Sequence, residues 1–321
     1  MHILIWTRGD CVTSSTARRA TVRAAGAVLG SRPFSFVCSR VVPGLRILAY
    51  HDVPDPMAFD RHLIELRRSY LPVSAEDVVA AATMGGPLPS RAVWVTFDDG
   101  YPSTLEASVR LASAGIRATV FVCPGVVDTR EPLWWQVVDR AIQCGVVPEP
   151  WRNGDPAAFR ATLKKMPDAD RRDAVEQCQL GLRERGDPTP DIEQVSTADL
   201  LRWIADGHHV GNHTWDHPLL DKCSEADQRG QITAAHEWLR ERLPGQPLVF
   251  AYPNGNSTSF ADGVARGLGY EVRLLFDHRV AGSVAGHRPV SRLRLDSDAA
   301  PNRMRAIASG AHSVAFSAWQ R

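Results

Sequence analysis

Two adjacent carboxylates, Asp98 and Asp99, close a run of β-branched and aromatic residues, Val93-Trp94-Val95-Thr96-Phe97, and Gly100 follows them. The run reads as a buried strand, so both acids stand where a strand stops. Side chains alternate along a strand, so the neighbours can serve one site only if the backbone bends there, which Gly100 permits at little steric cost. Two anions held side by side repel unless a cation or a proton separates their roles. Farther along, His213 and His217 are separated by Thr214-Trp215-Asp216. A helical turn at that spacing would let both imidazoles converge on one ion. One carboxylate and two imidazoles leave a position open for water on a divalent metal, and zinc would lower the pKa of that water to about 7. With Asp99 on the ion, Asp98 is left to accept the proton from the attacking water, a role worth roughly 10²–10⁴ in rate.

The elements that must position these groups alternate. A first buried strand, Leu45 to Tyr50, runs into the titratable residues His51-Asp52. Phe59, Leu63 and Leu66 then mark one face of a helix from Met57 to Tyr70, and Ser74 to Asp77 resembles a capping box for a helix over 78–83. After Gly100, Leu105, Val109 and Leu111 fit a single helix closed near Gly115, and Ala118 to Cys123 is a further strand. Ser196 to Asp199 is a second capping signature. Strands are expected at Leu248–Tyr252, Tyr270–Phe276 and Pro289–Leu295, with helices from near Ser224, before Gly267 and at the C-terminus. Such alternation predicts an α/β fold, a distorted (β/α) barrel of about seven parallel strands, with an open doubly wound sheet as the alternative. Neither G-x-G-x-x-G after the first strand nor G-x-x-x-x-G-K-[ST] occurs, so nucleotide cofactors lose their usual marker.

Residues 1–44 read as an N-terminal extension with a peripheral basic helix over Thr16–Leu29, carrying Arg18, Arg19 and Arg23. Residues 45–321 read as the barrel, interrupted at about 131–195 by a charged helical insertion that contains Trp134-Trp135, whose tryptophans suit anchors of the insertion or platforms for sugar rings. With 37 basic and 36 acidic residues nearly cancelling, no nucleic-acid footprint is expected. Six well-separated cysteines without a C-x-x-C pair fit reduced thiols. Ile3-Leu4-Ile5-Trp6 is too short for a signal sequence or a membrane span, so the expected location is cytoplasmic, with a membrane-peripheral place through the basic helix as the second option.

Thr96-Phe97-Asp98-Asp99-Gly100 and His213-Thr214-Trp215-Asp216-His217 resemble the first two motifs of the polysaccharide deacetylase family, also called the NodB-homology family or carbohydrate esterase family 4, and Phe250 to Gly255 resembles its third. Leu48 to Val53 resembles the N-terminal motif of a permuted branch that includes poly-N-acetylglucosamine deacetylases. The resemblance runs from about Leu45 to Leu295. It implies a metal held by Asp99, His213 and His217, Asp98 as general base, His51 as general acid, and the Tyr101 N–H as an oxyanion donor. Many members carry an arginine where Ala251 stands, and Arg292 is the substitute expected to orient Asp98. Asn212, His208 and His209 are expected to be scaffold or to support a ligand.

The reading is therefore a hydrolase with a divalent cofactor, Zn²⁺ first and Co²⁺, Ni²⁺, Mn²⁺ or Fe²⁺ behind it. Its substrate would be an N-acetylated amino sugar in an oligosaccharide, glycolipid or nucleotide-sugar intermediate. A hydrolase of a non-sugar amide or imide is the alternative on the same fold, and a non-catalytic glycan-binding protein is the alternative of another class.

Overall fold

The computed structural model describes residues 28–149, 155–187, 192–286 and 288–313. Strands β1 (Arg46–Tyr50) and β3 (Ala92–Phe97) are buried along their whole length, as a parallel sheet covered on both faces requires. A two-residue strand β2 (Leu71–Pro72) pairs with β3 off the main path. With β4 (Thr119–Val122), β5 (His209–Asn212), β6 (Val249–Ala251), β7 (Val272–Leu274) and β8 (Leu293–Arg294), the order along the sheet is β7-β6-β5-β4-β3-β1-β8, with every pairing parallel. A parallel bridge between Leu274 and Val290 joins β7 to the segment that enters β8. Leu275 N–H donates to Val290 O at 2.8 Å and Val290 N–H to Arg273 O at 2.7 Å. The path thus returns to β1, and the seven strands curl into the distorted barrel that the alternation predicted.

Parity sorts the side chains. Ile47, Trp94, Phe121, Val249, Ala251, Val272 and Leu274 share one apolar cluster contributed by five different strands, which fills the lumen. Val93, Val95 and Phe97 of β3 belong instead to the outer cluster with Phe59, Leu63 and Trp203 of the surrounding helices. Asp98, continuing the Trp94–Thr96 face, is therefore directed inward. Gly211 is required by the same packing, since a Cβ there would stand 2.5 Å from the Phe121 ring.

The register levels the strand ends. Tyr50 pairs with Phe97, and Asp98 N–H donates to Tyr50 O at 3.0 Å, so His51 and Asp98 leave their strands at one height. Val122 pairs with Asn212 and Asn212 with Phe250, which sets His213 beside Ala251. All of these ends face one mouth of the barrel.

Helices cover the strands: α1 (Arg32–Val41), α2 (Pro56–Ser69), α3 (Ala75–Met84), α4 (Pro102–Glu106), α5 (Ser108–Ser113), α6 (Trp134–Gln143), α7 (Pro156–Leu163), α8 (Asp168–Glu184), α9 (Thr197–Ala205), α10 (Glu225–Arg242), α11 (Ser259–Gly267) and α12 (Pro301–Ala308). Both expected capping boxes form, Ser74 with Asp77 on α3 and Ser196 with Asp199 on α9. Two expectations need correction. The helix after Gly100 is broken at Ala107 into α4 and α5, and Val109, expected on its inner face, is 66% exposed. The expected basic helix over Thr16–Leu29 lies almost wholly outside the described residues. The helix that is described there, α1, buries Ser35 and Ser39 while Phe36 and Val37 are exposed, so apolar periodicity could not reveal it. The insertion forms α6, α7 and α8 around a small core of its own, with Val137, Val138, Phe159, Leu163, Cys178 and Leu182.

Among the described residues no helix is long and apolar enough to cross a membrane. The cysteines described are free thiols, and Cys11 lies outside the described residues.

His208 is a buried bolt between α5 and the strands. Its Nδ1 accepts from Ala118 N–H at 3.2 Å, which leaves Nε2 as the donor to Ser108 O at 3.0 Å. Only the neutral ring satisfies both, and burial pushes the His208 and His62 imidazoles down. Below about pH 6.5 the unfolded chain binds protons that the folded chain refuses, so stability falls as pH falls. The urea midpoint is expected to drop from about pH 7.5 to about pH 5.5, and His208→Gln, which keeps a donor and an acceptor, is expected to flatten that slope.

Candidate active site

Asp98 meets a guanidinium from the far end of the chain. Arg292 Nη1 donates to Asp98 Oδ1 at 2.7 Å and Nη2 to Oδ2 at 2.8 Å, a two-pronged pair. Arg292 is fully buried. Its Nε donates to Leu275 O at 2.8 Å, and the rings of Phe121 and Phe276 stand 5.6 and 5.5 Å from the guanidinium carbon. Burial alone would push the Asp98 carboxyl up. Arg292, helped by His213 and His51, outweighs it and holds the group below the usual carboxylate range. Ala251, where the resemblance leads one to look for an arginine, supplies its backbone carbonyl to the site instead.

Asp99 turns away from its neighbour because its φ is 72° and that of Gly100 is 73°. The bend thus begins at the second acid itself, one residue before the glycine. Its Oδ1 lies 3.5 Å from His213 Nε2 and 3.4 Å from His217 Nε2. His213 Nδ1 is 2.8 Å from Ala251 O, a contact that requires the hydrogen on Nδ1 and leaves the Nε2 lone pair facing Asp99. The buried Asp99 Oδ1 has no hydrogen-bond partner among the described residues. The Asp99 oxygen and the His213 Nε2 lone pair thus face the same point, with His217 Nε2 beside them, and one side-chain N or O atom from each of Asp99, His213 and His217 lies within 4.8 Å of the other two. A carboxylate and two imidazoles of this kind suit a divalent ion such as zinc. Burial pushes the His217 imidazole down to about 3. Burial acts the same way on His213, but the Asp98 and Asp99 carboxylates reverse it and hold that ring up.

The two histidines do not converge through a helical turn. The segment from His213 to His217 is an irregular loop in which Thr214 has φ 69° and His217 φ 60°. Two left-handed residues fold the loop back on itself, bringing the ring centres to 4.8 Å. Asn212 pins the fold: its Oδ1 accepts from Thr214 N–H at 2.8 Å, and its Nδ2 serves Ile232 O and Tyr270 OH. His208 and His209 lie apart from these three residues; His208 bonds to Ser108 and Ala118, and His209 stands 3.9 Å from Glu76.

His51 sits at the mouth with its ring edge-on to Phe276 at 5.5 Å, and its charge acts on both Asp98 and Asp99. Tyr101 caps α4, and its hydroxyl accepts from Trp135 Nε1 at 3.2 Å. Composition alone did not identify how the insertion engages the site. Trp134 Nε1 donates to His217 O at 3.3 Å, the Trp135 ring lies 4.5 Å from that of His217, and Arg172 of α8 forks onto Asp216 with two bonds of 2.9 Å. The only sequence trace of this was the paired tryptophans and the Arg171-Arg172 doublet.

The sequence profile of the polysaccharide deacetylase family matches residues 85–273, and the chain belongs to that family. Among similar proteins is a poly-beta-1,6-N-acetyl-D-glucosamine N-deacetylase of Escherichia coli (strain K12), 23% identical over 256 residues, covering 75% of this chain and 35% of that protein. A chitin deacetylase of Colletotrichum lindemuthianum is 36% identical over 89 residues, covering 27% of this chain and 36% of that protein. The chain thus spans about a third of the length of these two relatives. Of solved structures, IcaB from Ammonifex degensii is similar with a TM-score of 0.55 and 20% identity, covering 83% of this chain and 97% of that one. The deacetylase PplD of Streptococcus pyogenes has a TM-score of 0.54 and 18% identity, covering 81% and 96%. These likenesses speak for the fold.

Because Asn212 fixes the loop that carries both imidazoles, Asn212→Ala is expected to weaken zinc binding by about 10- to 100-fold. The same change is expected to lower stability by about 1–3 kcal/mol. Zinc titration with a competing chelator and urea denaturation check the two.

Proposed function

We propose that this chain is a metal-dependent N-deacetylase that removes the acetyl group from an N-acetylated amino sugar within an oligosaccharide, glycolipid or nucleotide-sugar intermediate. The observation that carries the reading is the donorless Asp99 Oδ1 facing two imidazole nitrogens, beside a second carboxylate that is kept out of the cluster by Arg292. Family membership and the printed activities of the two relatives, both deacetylases of N-acetylglucosamine-type polymers, support a sugar substrate.

Asp99, His213 and His217 would hold the ion. Bound there, a divalent cation supplies Lewis acidity, polarising the acetyl carbonyl and favouring ionisation of water. Asp98 takes the proton as water adds to the acetyl carbon. Arg292 keeps that carboxylate ionised and aimed, which a general base requires. The backbone N–H of Tyr101, at the start of α4, donates to the oxygen that gains charge. His51, on the level of Asp98 across β1 and β3, gives its proton to the nitrogen as the C–N bond breaks, leaving acetate and a free amine. Trp134 and Trp135 wall the side of the mouth next to His217 and help to exclude bulk water.

Retention of Asp98 next to a complete ligand set favours this reading over a glycan-binding protein, since binding has no use for a base held ionised at that point.

Asp98→Asn is expected to keep zinc, as measured by metal analysis, while kcat for acetate release falls by about 10²–10⁴. His213→Ala is expected to lose both metal and activity. A chelator should abolish turnover and added Zn²⁺ restore it. Acetate release from a panel of N-acetylated sugars gives the readout, and near-normal turnover by Asp98→Asn would show the base to be another group.

A further inference from the structure

At β8, Arg294 and the residue just before the strand, Arg292, fall on the same side of the sheet. Arg292 reaches inward to Asp98, and Arg294, two residues on, lies on the same face about 7 Å nearer the mouth. Arg294 pairs in the ladder with Ala49, two residues before His51. Its guanidinium carbon stands 5.8 Å from the centre of the Phe276 ring, which is the ring that meets His51. From the opposite side, Lys164 follows α7 and donates to Asn254 Oδ1 at 3.2 Å. Asn254, with φ 55°, lies in the loop after β6. Its neighbour Gly255 is so near Phe276 that a Cβ there would be 2.6 Å from Phe276 N. Lys164, Asn254, Gly255, Phe276 and Arg294 are thus one continuous part of the rim that ends at His51.

These cations are poorly matched by acids. Lys164 is held by a neutral amide, and Arg294 Nε has no hydrogen-bond partner among the described residues. Asp296 stands 3.7 Å from Arg294 and is shared with Arg303 at 3.2 Å. Partial desolvation, then Arg294 and Arg160, push the Lys164 ammonium down against the pull of Asp99, although the residue as a whole stays exposed. Like charges gathered at a cleft mouth raise the energy of the empty site, and an anion between them removes that repulsion and gains charge-assisted hydrogen bonds. A neutral polymer of N-acetylglucosamine offers hydroxyl and carbonyl acceptors but no charge to relieve that repulsion.

We propose that Arg294 and Lys164 form an anion subsite, so that the preferred substrate is an N-acetylated sugar carrying an oxyacid group, phosphate or carboxylate, next to the residue that loses its acetyl. This rests on the deacetylase reading above.

The test uses the zinc-loaded full chain and kcat/KM for acetate release from four compounds: N,N′-diacetylchitobiose, its 1-phosphate, uridine diphosphate N-acetylglucosamine, and a disaccharide of glucuronate and N-acetylglucosamine. A charged compound is expected to exceed the neutral one by about tenfold or more, chiefly through KM, with an advantage that shrinks as salt is raised. A phosphate compound in front identifies phosphate as the recognised group, and the uronate in front identifies carboxylate. Arg294→Gln and Lys164→Gln are each expected to cut the charged-to-neutral ratio by about threefold or more, whereas Lys165→Gln leaves the ratio alone. If the neutral disaccharide is turned over as well as every charged compound, or if the two variants slow all four alike, the subsite is wrong and the deacetylase reading stands. If no compound yields acetate, both fall together.

Discussion

The change of backbone direction at Asp99 is the constraint on which the site depends. Strand parity sends Asp98 into the barrel lumen, and an extended residue after it would point Asp99 out among the helices. The left-handed conformation of both Asp99 and Gly100 turns the second carboxylate back over the mouth. Aspartate tolerates that region better than most residues, at a cost on the order of 1–3 kcal/mol. The space beneath is just as restricted, since a Cβ on Gly100 would stand 3.1 Å from a Val122 methyl. Two adjacent acids thus acquire different surroundings: one faces a guanidinium, the other two imidazoles.

That separation also settles the electrostatics. Burying two carboxylates within one turn of chain is unfavourable unless each has its own countercharge. Arg292 provides one, fixed by Leu275 O and by aromatic rings on either side. Removing either partner alone would strand a buried charge, a loss of roughly 3–5 kcal/mol. Asp99 has no guanidinium of its own and faces two imidazoles instead, its Oδ1 without a hydrogen-bond partner among the described residues. Part of the remaining backbone strain lies in the same region. Thr214, His217 and Asn254, all with positive φ, stand in the loops that follow β5 and β6.

The insertion is tied to the reactive end of the barrel and is more than an ornament on its side. Trp134 and Trp135 contact the loop of His217, Arg172 clasps Asp216, and Lys164 meets the loop after β6. Three helices with a small core of their own therefore brace two irregular loops whose conformations no regular ladder would maintain.

Much of this was legible in the chain itself. Buried parallel strands announce themselves as continuous β-branched runs, capping boxes at Ser74 and Ser196 are local chemistry, and Asp98-Asp99-Gly100 sits at a strand end by local rules alone. The His213/His217 spacing marked the two rings that come together beside Asp99 and suggested the wrong turn, because nothing in Thr214 or His217 signals a left-handed backbone that is held by Asn212 and the insertion. The helix at Arg32–Val41 escaped because its inward positions are serines. What the sequence determined by itself was which residue types stand at the ends of which strands, since alternation and capping act over a few residues. Which of those ends share a mouth, that Arg292 reaches Asp98 across 194 residues, and that Lys164 and Arg294 are linked along one rim through Asn254 and Phe276 were decided only when the strands closed into a ring. Register between distant strands depends on packing that no local stretch contains.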